Sequence, residues 1–401
     1  MQALILAGGK GTRLGALTKG LPKPLVPIGG RPFIQYILDN LGRYGFRKIL
    51  LLVGPFIQAY EEIVGDGSEF GLRVSLIPED PPADTGGAIA HAALQLQPQF
   101  LLLNGDSFFD INYLDLLSKR TDSPWLAHVA LREVEGAGRY GAVTLDGDRI
   151  TSFGEKSFRG PGIINGGIYW LKREIIEMIG KSPTSLERDV FPRLAARSLL
   201  RGSVYNRRFI DIGTPEDLAR ARRLLPVWRK RPAAFLDRDG VLNQDTSYVH
   251  SKEQFIWING AKRAVKRLND AGYFVFVITN QAGIARGLYG PEQVENLHRW
   301  INDELRADGA HIDAFYYCQH HPTEGKGEYL QICNCRKPEP GLLLRAMREW
   351  PVRRVGSFMI GDKDIDLEVA RRVQIFGVRL GQGSLDDLVC DLLDRRRAQS
   401  A

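Results

Sequence analysis

Apolar and polar positions follow two different spacings along the chain, and these predict strands and helices in turn. Short apolar runs that are typical of buried strands lie at residues 3–6, 48–53, 74–77 and 100–103. Residues 31–44 and 88–96 between them have the spacing of amphipathic helices. Because buried strands that alternate with helices are typical of parallel sheets, the pattern predicts a doubly wound α/β fold.

The same pattern begins again in the second half of the chain. A charged helical stretch at 215–225 leads into residues 226–232, where two prolines bracket three basic residues. Beyond this segment we expect strands at 233–237, 273–279 and 357–360 and helices at 260–271 and 291–309. The sequence therefore predicts two α/β domains, residues 1–225 and 233–401, joined by a linker at 226–232.

Composition and charge narrow the classes of function. With 44% hydrophobic and 25% charged residues the chain has the composition of a globular protein, and it has no apolar run of the ~18 residues that span a bilayer. The first residues lack the features of a signal peptide, so we expect a cytoplasmic protein without a membrane partner. The net charge of +7 suits anionic small molecules, and no nucleic-acid motif is present, so we expect small-molecule substrates and no nucleic acid. The sequence leaves the oligomeric state open, a homo-oligomer included.

The first strand runs into a glycine-rich loop whose chemistry suits a nucleoside triphosphate. Glycines let backbone amides approach phosphate oxygens closely, and the guanidinium of Arg13 adds a fork of donors. Lys23 lies between two prolines, and an ammonium fixed in this way suits a phosphorus centre that gathers charge in the transition state. We therefore expect nucleotide contacts from Leu6, Ala7, Gly8, Gly9, Gly11, Thr12, Arg13 and Lys23.

These two segments resemble the sugar-nucleotide pyrophosphorylase family, over about residues 1–223. The resemblance implies a Rossmann-like, glycosyltransferase-A-like domain in which a sugar 1-phosphate attacks the α-phosphorus of a nucleoside triphosphate and pyrophosphate leaves. It implies catalytic roles for Arg13 and Lys23 and a Mg²⁺ ion at Asp106 and Asp211, Asp106 also contacting the nucleotide. The other residues that match the family's pattern are Gly86 and Gly87 at the base, and Tyr140, Gly141, Glu155, Lys156 and Asn165 at the sugar phosphate.

Two positions depart from the pattern of that family. Ala16 stands in the glycine loop where many members have proline, and Asp84 stands before Thr85 where relatives often have glycine. Asp84 lies near the expected base or ribose, so the identity of the base is left open at this point.

The second half opens with an Asp-x-Asp pair at the end of a predicted strand. Asp237 is placed to attack a phosphorus atom, and Asp239 is placed to protonate the leaving oxygen and then to activate water. Because the loop carries so much negative charge, a Mg²⁺ ion is implied. Further polar groups follow other predicted strands in order: Thr279 and Asn280, then Arg336 and Lys337, then Asp362 and Asp366.

This set resembles the haloacid dehalogenase superfamily over about residues 233–393. The resemblance implies a Rossmannoid phosphatase with Asp237 as nucleophile and Asp239 as general acid and base. It further implies a phosphoryl site at Thr279, Asn280, Arg336 and Lys337, and a Mg²⁺ site at Asp237, Asp239 and Asp362. Asp366 matches the last acidic position of the motif, where we expect it to hold Asp362 or Lys363 rather than to bind the metal.

Three of the four cysteines lie close together in the sequence and predict a zinc site. Cys318 and His320 form a C-x-H pair, and Cys333 and Cys335 form a C-x-C pair. Three thiolates and one imidazole complete a tetrahedral shell, which is typical of structural rather than catalytic zinc. We expect this zinc loop to shape the nearby Arg336–Lys337 segment.

The zinc loop narrows the resemblance to two groups, heptose bisphosphate phosphatases and histidinol-phosphate phosphatases, and the motifs are closer to the former. A heptose phosphatase would leave a heptose 1-phosphate, which is the kind of substrate that the first half would take. The combination favours synthesis of a GDP-heptose from the α-anomer and GTP. Two alternatives stay open: another sugar 1-phosphate with UTP, CTP or dTTP beside a histidinol-phosphate-type phosphatase, or a non-catalytic nucleotide-sensing module on a phosphatase.

Overall fold

A computed structural model describes residues 1–9, 12–18, 20–78, 84–119, 124–136, 142–153, 160–180 and 183–398, without the side chains of residues 12, 13, 16 and 397. It divides into two compact units, Met1–Ile111 with Lys119–Trp228, and Asn112–Ser118 with Arg229–Ala401. The segment Asn112–Ser118 therefore groups with the C-terminal unit, although the sequence pattern placed it in the first domain. Among the described residues, no helix has the length and apolar character needed to cross a membrane.

The elements before Ala233 follow the α/β pattern. The strands are β1 (Gln2–Leu6), β2 (Pro27–Ile28), β3 (Arg31–Pro32), β4 (Lys48–Gly54), β5 (Arg73–Pro78), β6 (Gln99–Asn104), β7 (Ser107–Phe109), β8 (Ala127–Val134), β9 (Val143–Asp146), β10 (Arg149–Phe153), β11 (Gly162–Lys172), β12 (Leu200–Val204) and β13 (Phe209–Asp211). The helices are α1 (Phe33–Arg43), α2 (Ile57–Ile63), α3 (Asp84–His91), α4 (Tyr113–Ser118), α5 (Phe191–Ala196) and α6 (Pro215–Arg229). Leu186–Val190 adds a π-helical turn before α5.

The main sheet of the first unit is mixed rather than wholly parallel. Its order among the described strands is β5-β4-β1-β6-β11-β8-β12-β10-β9. The four apolar runs predicted as strands lie in β5, β4, β1 and β6, which pair in parallel. The next strand, β11, runs antiparallel to both β6 and β8. Since β1 and β6 are in register at Leu6 and Asn104, the residues after both strands meet at one edge of the sheet.

The three helices predicted in the first unit differ from their predicted bounds. The helix predicted from residue 31 begins at Phe33, because Arg31 and Pro32 form β3 and pair with β2. The helix predicted from residue 88 begins at Asp84 and ends at His91. Helix α6 continues through Pro226 to Arg229, so it covers part of the segment interpreted as a linker. The Pro226 ring packs against Gly29, where a Cβ would lie 2.6 Å from Cγ of the proline.

The second unit contains a parallel sheet covered by helices. Its strands are β14 (Ala233–Leu236), β15 (Phe274–Asn280), β16 (Ala314–Cys318), β17 (Phe358–Gly361) and β18 (Phe376–Arg379). Its helices, besides α4, are α7 (Ala261–Asp270), α8 (Ala282–Arg286), α9 (Pro291–Ala307), α10 (Gly341–Glu349), α11 (Asp364–Arg372) and α12 (Leu385–Ala398). The strands lie in the order β16-β15-β14-β17-β18, and every neighbouring pair is parallel.

Alternation along β14 explains why this strand reads as a continuous apolar run. Ala234 and Leu236 belong to the core on one face of the sheet, whereas Ala233 and Phe235 belong to the core on the other. A strand that is buried on both faces needs apolar residues at every position. Because β14, β15 and β17 are parallel, the polar residues that follow them lie at one common edge.

Candidate active sites

The first unit has a cavity of about 510 Å³ at the carboxyl ends of β1 and β6. The glycine loop and the Pro-Lys-Pro segment, which are well separated in sequence, both border it. The residues around it include Leu6, Ala7, Gly8, Gly9, Lys23, Asn104, Asp106, Tyr169 and Glu187. The cavity therefore joins several of the predicted nucleotide contacts in one place.

The two glycines after Ala7 have different structural reasons. A Cβ on Gly8 would lie 2.9 Å from the backbone nitrogen of Gly54, so the backbones of two loops touch there. A Cβ on Gly9 would have no atom within 4 Å among the described residues. Gly8 is thus required by packing of the chain itself, whereas Gly9 leaves space at the cavity.

Lys23 lies beside the predicted metal carboxylate. Its Nζ is 3.3 Å from Oδ2 of Asp106, and the lysine side chain is 10% exposed. Strand β13 pairs with β7 so that Asp211 lies opposite Ser107, the residue after Asp106. The amide of Ile212 also donates to the carbonyl of Asp106 at 3.0 Å, so the backbones that carry Asp106 and Asp211 are neighbours. Carboxylates are donors that suit Mg²⁺, and these two residues would hold the ion.

Several predicted residues of this site lie outside the described residues. They are Gly11, Tyr140, Gly141, Glu155 and Lys156, together with the side chains of Thr12 and Arg13.

The predicted base contacts Gly86 and Gly87 lie in α3. The amide of Gly86 donates to the carbonyl of Thr184 at 2.7 Å, and a Cβ on Gly86 would lie 2.8 Å from that oxygen. The hydroxyl of Thr85 accepts from the amide of Leu186 at 2.9 Å. The start of α3 is thus bonded to the segment that leads into the π-helical turn.

Sequence reasoning missed Tyr169 and Glu187, which border the cavity beside Asn165. The Asn165 amide donates to Oε1 of Glu187 and to the Tyr169 hydroxyl, both at 2.8 Å. The Tyr169 hydroxyl also donates to Glu187 at 3.1 Å. Burial raises the pKa of Tyr169 well above its usual value, so this hydroxyl stays a donor. No local motif marks Glu187, because it lies in the π-helical turn whereas its partners lie in strand β11.

Asp84, the departure from the family pattern, has a left-handed backbone with φ +60°. Aspartate tolerates this conformation better than most residues other than glycine. Its Oδ1 accepts from the amide of Thr85 at 2.7 Å, and its Oδ2 lies 2.6 Å from Nη2 of Arg188. The carboxylate thus links the start of α3 to the π-helical turn.

In the second unit, a cavity of about 230 Å³ lies at the carboxyl ends of β14 and β15. The predicted nucleophile and three of the four predicted phosphoryl-binding residues lie around it together, whereas Arg336 is not among the residues that line it. They are Asp237, Asp239, Thr279, Asn280 and Lys337, and Asp245, Tyr248 and Lys363 are among the other residues around it.

Lys337 lies between two buried carboxylates. Its Nζ is 2.8 Å from Oδ2 of Asp237 and 2.7 Å from Oδ1 of Asp366, and the three side chains are at most 9% exposed. Burial raises the pKa of Asp237 to about 6, although the Lys337 ammonium opposes the shift. Burial alone would lower the pKa of Lys337, but the two carboxylates raise it, so the ammonium stays charged.

The carboxylates in this corner outnumber the cations, which fits a metal ion. Oxygens of Asp237, Asp362 and Asp366 lie within 4.8 Å of one another. Oδ1 of Asp362 is buried and has no hydrogen-bond partner among the described residues, and burial raises the pKa of this carboxyl. A cation that prefers oxygen ligands would satisfy the orphaned atom. Asp237 and Asp362 would therefore hold Mg²⁺.

The other acidic residues of the motif have protein partners. Asp366 bonds to Lys337 and accepts from the amide of Lys363 at 3.2 Å, at the start of α11. Asp239, which the resemblance places in the metal site, accepts hydrogen bonds from Arg238, Asn243 and Gln281, and its contact with a metal stays a prediction.

The predicted phosphoryl-binding residues differ in what their side chains contact. Oδ1 of Asn280 accepts from the amide of Lys337 at 3.0 Å, and its Nδ2 donates to the carbonyl of the same lysine at 3.2 Å. Asn280 thus fixes the backbone from which Lys337 extends. Thr279 is buried at the end of β15, and Arg336 donates to the carbonyl of His320 at 3.2 Å.

The predicted zinc residues form one compact cluster. The Sγ atoms of Cys318, Cys333 and Cys335 lie 3.3–3.6 Å apart, and Nδ1 of His320 is 3.4 Å from Sγ of Cys335. All four cysteines of the chain are free thiols. Four such atoms within 4.8 Å of one another suit a tetrahedral Zn²⁺ site. His321 is directed elsewhere, since its Nδ1 accepts from the amides of Thr323 and Glu324.

Comparison with known proteins agrees with this division into two sites. The profile of the nucleotidyl transferase family matches residues 2–226, more than half of the chain. This chain belongs to the nucleotidyl transferase family. The profile described as HAD-hydrolase-like matches residues 334–390, the segment that contains Cys335, Lys337 and Asp362.

Named relatives of this nucleotidyl transferase fall into two kinds. A D-glycero-beta-D-manno-heptose-1,7-bisphosphate 7-phosphatase of Rhodopseudomonas palustris is 44% identical over 164 residues, covering 41% of the chain and 91% of the relative. A D-glycero-alpha-D-manno-heptose 1-phosphate guanylyltransferase of Campylobacter jejuni is 36% identical over 219 residues, covering 54% of the chain and 96% of the relative. Each relative is almost fully covered, so the chain belongs to both of their families.

A solved structure supports the fold of the first half. The HddC protein of Yersinia pseudotuberculosis, complexed with GMP-PN, is 32% identical and aligns with a TM-score of 0.50 over 56% of this chain and 99% of its own. The predicted fusion of a sugar-nucleotide pyrophosphorylase-like transferase with a haloacid dehalogenase-like phosphatase is therefore confirmed, as is its α/β fold class.

Proposed function

We propose that this chain catalyses two consecutive steps in the synthesis of a GDP-heptose. The phosphatase site removes the 7-phosphate of D-glycero-D-manno-heptose 1,7-bisphosphate. The transferase site then joins the remaining heptose 1-phosphate to the guanylyl group of GTP and releases pyrophosphate. The observation that carries this proposal is that one chain matches a heptose bisphosphate phosphatase and a heptose 1-phosphate guanylyltransferase, each almost over its full length.

In the phosphatase site, the residues around the cavity support attack by Asp237 on the 7-phosphate. Lys337 lies 2.8 Å from Asp237 and provides positive charge for the phosphoryl oxygens. Asp239 is the proton donor to the departing sugar oxygen and then the base for the attacking water. Bound Mg²⁺ at Asp237 and Asp362 would offset charge on the phosphoryl group. The Zn²⁺ site has a structural role in this proposal, since its four ligands leave no open position.

In the transferase site, catalysis depends mainly on positioning and charge neutralisation. Lys23 is held in the rigid Pro-Lys-Pro segment at the cavity, where its ammonium would stabilise charge at the α-phosphate. Arg13 would bind phosphate oxygens through its planar fork. Asp106 and Asp211 would hold Mg²⁺, which would supply positive charge against that of the triphosphate.

The base and the anomer rest on the names of relatives. Guanine is supported by the guanylyltransferase relative and by the HddC structure, which was solved with GMP-PN. The phosphatase relative is named for the β-anomer, whereas the transferase relative is named for the α-anomer. We propose the α-anomer for this chain. The transferase reaction takes place at the anomeric phosphate itself, whereas the phosphatase reaction takes place at the opposite end of the sugar.

The full chain, incubated with synthetic α- or β-heptose 1,7-bisphosphate and with GTP, ATP, UTP, CTP or dTTP in turn, tests the proposal. We expect phosphate release followed by pyrophosphate and GDP-heptose, with the nucleotide sugar formed only from the α-anomer and GTP. A nucleotide sugar from another triphosphate would overturn the assignment of the base. Absence of phosphate release from both anomers, with release from histidinol phosphate, would overturn the sugar. Triphosphate binding without any pyrophosphate release would make the first half a nucleotide-sensing module.

A further inference from the structure

Arg238 lies between Asp237 and Asp239 in the sequence, and its side chain is completely buried. A buried guanidinium is costly unless acceptors balance both its charge and its donors. Its backbone amide donates to Oδ1 of Asp237 at 2.7 Å, whereas its side chain points to Asp239. The residue therefore contacts both carboxylates of the motif.

The guanidinium binds Asp239 side-on through two nitrogens. Nε is 3.2 Å from Oδ1 of Asp239, and Nη2 is 2.9 Å from Oδ2. Contacts of a planar fork with both carboxylate oxygens fix the plane of the carboxylate as well as its distance. Nη2 also donates to the carbonyl of Val249, which ties the guanidinium to the loop after the motif.

A second group of side chains supports the same carboxylate. Gln281 Nε2 donates to Oδ2 of Asp239 at 3.1 Å and to Oγ1 of Thr279 at 2.9 Å. The amide oxygen of Gln281 accepts from Arg238 at 3.2 Å and from the hydroxyl of Tyr289 at 2.9 Å. Asn243 Nδ2 donates to Oδ1 of Asp239 at 2.9 Å. Each oxygen of Asp239 thus receives one amide donor in addition to the guanidinium.

Asp239 itself borders the cavity, and its side chain is 19% exposed. The carboxylate is thus gripped from the protein side and open toward the substrate. We propose that Arg238, supported by Gln281, is a positioning residue that holds Asp239 where it exchanges a proton with the leaving sugar oxygen and with water. This inference rests on the proposed phosphatase function.

Two successive steps of the reaction need the Asp239 carboxyl group in this position. A carboxylate oxygen of Asp237 forms a bond to phosphorus while the bond from phosphorus to the sugar oxygen breaks. In this step Asp239 begins as the protonated acid. The sugar oxygen keeps the electron pair and takes the proton of Asp239, which becomes a carboxylate facing Arg238. Asp239 then takes a proton from water, the water oxygen bonds to phosphorus, and the bond from phosphorus to Asp237 breaks. Inorganic phosphate leaves, and both aspartates return to their starting forms.

Two substrates with different leaving groups distinguish a positioning role of Arg238 from a merely structural one. A sugar alkoxide is strongly basic and needs the proton of Asp239, whereas p-nitrophenolate is a weak base and departs without it. We therefore follow a single turnover with enzyme in excess, so that release of the alcohol reports only phosphoryl transfer to Asp237. The substrates are heptose 1,7-bisphosphate and p-nitrophenyl phosphate.

The test variants are Arg238→Met, which removes the charge and the donors, Arg238→Lys, which keeps the charge but loses the fork, and Gln281→Met. The matched control is Arg267→Met. Arg267 makes a similar side-on pair with Asp386, at 2.8 and 2.9 Å, on helix α7 away from the cavity. Melting of the second unit is recorded for each variant, and Arg238→Lys and Gln281→Met carry the test if Arg238→Met does not fold.

We expect Arg238→Met to slow the single turnover of the sugar phosphate by about 10²-fold or more, the usual contribution of general acid catalysis. The single turnover of p-nitrophenyl phosphate should change only slightly, Arg238→Lys should restore part of the sugar rate, and Arg267→Met should match wild type with both substrates. Equal losses with both substrates would show a structural role and overturn the inference, as would unchanged rates with both. A wild-type chain that transfers no phosphoryl group to Asp237 from either substrate would refute the proposed phosphatase itself.

Discussion

Replacement of Lys337 by methionine should destabilise the second unit more than any exposed lysine replacement in it. Lys337 Nζ is within 2.8 Å of Asp237 and Asp366, and the three side chains are 1%, 9% and 0% exposed. Loss of one partner of a buried ion pair leaves an uncompensated charge and costs about 3–5 kcal/mol. Since Lys337→Met leaves two facing carboxylates, we expect the free energy of unfolding to fall by about that amount.

Calorimetry of the full chain, in a buffer without Mg²⁺ but with zinc retained, measures this loss. In a unit of this size each 1 kcal/mol shifts Tm by about 2–4 °C, so Lys337→Met should lower the Tm of the second unit by about 6–20 °C. Lys262→Met is the matched control. Lys262 Nζ also lies near two carboxylates, Glu304 at 3.1 Å and Asp308 at 3.4 Å, but all three side chains are at least 30% exposed. Its replacement should cost about 1 kcal/mol or less.

The pH dependence and a double variant check the cause of the loss. Burial raises the pKa of Asp237 to about 6 in the folded chain, above its unfolded value. Such a carboxyl destabilises the fold when it is ionised, so the penalty is absent at low pH and grows as the pH rises toward and through the folded pKa. Loss of the Lys337 ammonium, which opposes this shift, raises the pKa of Asp237 further. Lys337→Met should therefore recover more stability than wild type between pH 7 and pH 5, and a further Asp366→Asn change should recover more. A loss equal to that of Lys262→Met would refute this reading of the site.

Three further predictions concern the glycine loop and the metals. Gly9→Ala should leave the Tm of the first unit unchanged but weaken GTP binding in calorimetric titration. Gly8→Ala should cost about 1–3 kcal/mol of stability, because its Cβ would lie 2.9 Å from a backbone nitrogen. Equal Tm values for the two variants would contradict this. Removal of zinc with a chelator followed by addition of Mg²⁺, or Cys333→Ser, should lower the Tm of the second unit and abolish phosphate release while pyrophosphate release from heptose 1-phosphate and GTP continues. Metal analysis without zinc in the untreated chain would contradict the site. Asp106→Asn should abolish nucleotidyl transfer and leave phosphate release at the wild-type rate, and retained transfer would remove this carboxylate from the metal site.

The fold could be predicted from the sequence where burial leaves a local signal. Strands such as β14 are covered on both faces, so their residues form short, continuous apolar runs. Element ends were less well predicted, because tertiary contacts decide them. The proline at position 226 indicated the end of a helix, but its ring packs on Gly29 and α6 continues to Arg229.

The sites were predictable where they follow strands and unpredictable where they depend on distant partners. Asp237 and Asp362 come directly after buried parallel strands, so the topology alone brings them to one edge. The network of Arg238 and Gln281 has no local sequence signal, since its members are 43 positions apart and an arginine between two aspartates is ordinary in a solvated turn. Only the structure shows that this arginine is buried.

The central claim is that two sites in one chain act in series, the phosphatase first. The most direct test gives the folded variants Asp237→Asn and Lys23→Ala both heptose 1,7-bisphosphate and heptose 1-phosphate, each with GTP, and measures phosphate, pyrophosphate and nucleotide sugar. We expect Asp237→Asn to form GDP-heptose only from the 1-phosphate, and Lys23→Ala to release phosphate from the bisphosphate but to form GDP-heptose from neither substrate. Formation of a nucleotide sugar from the bisphosphate by Asp237→Asn, or from either substrate by Lys23→Ala, would contradict the account.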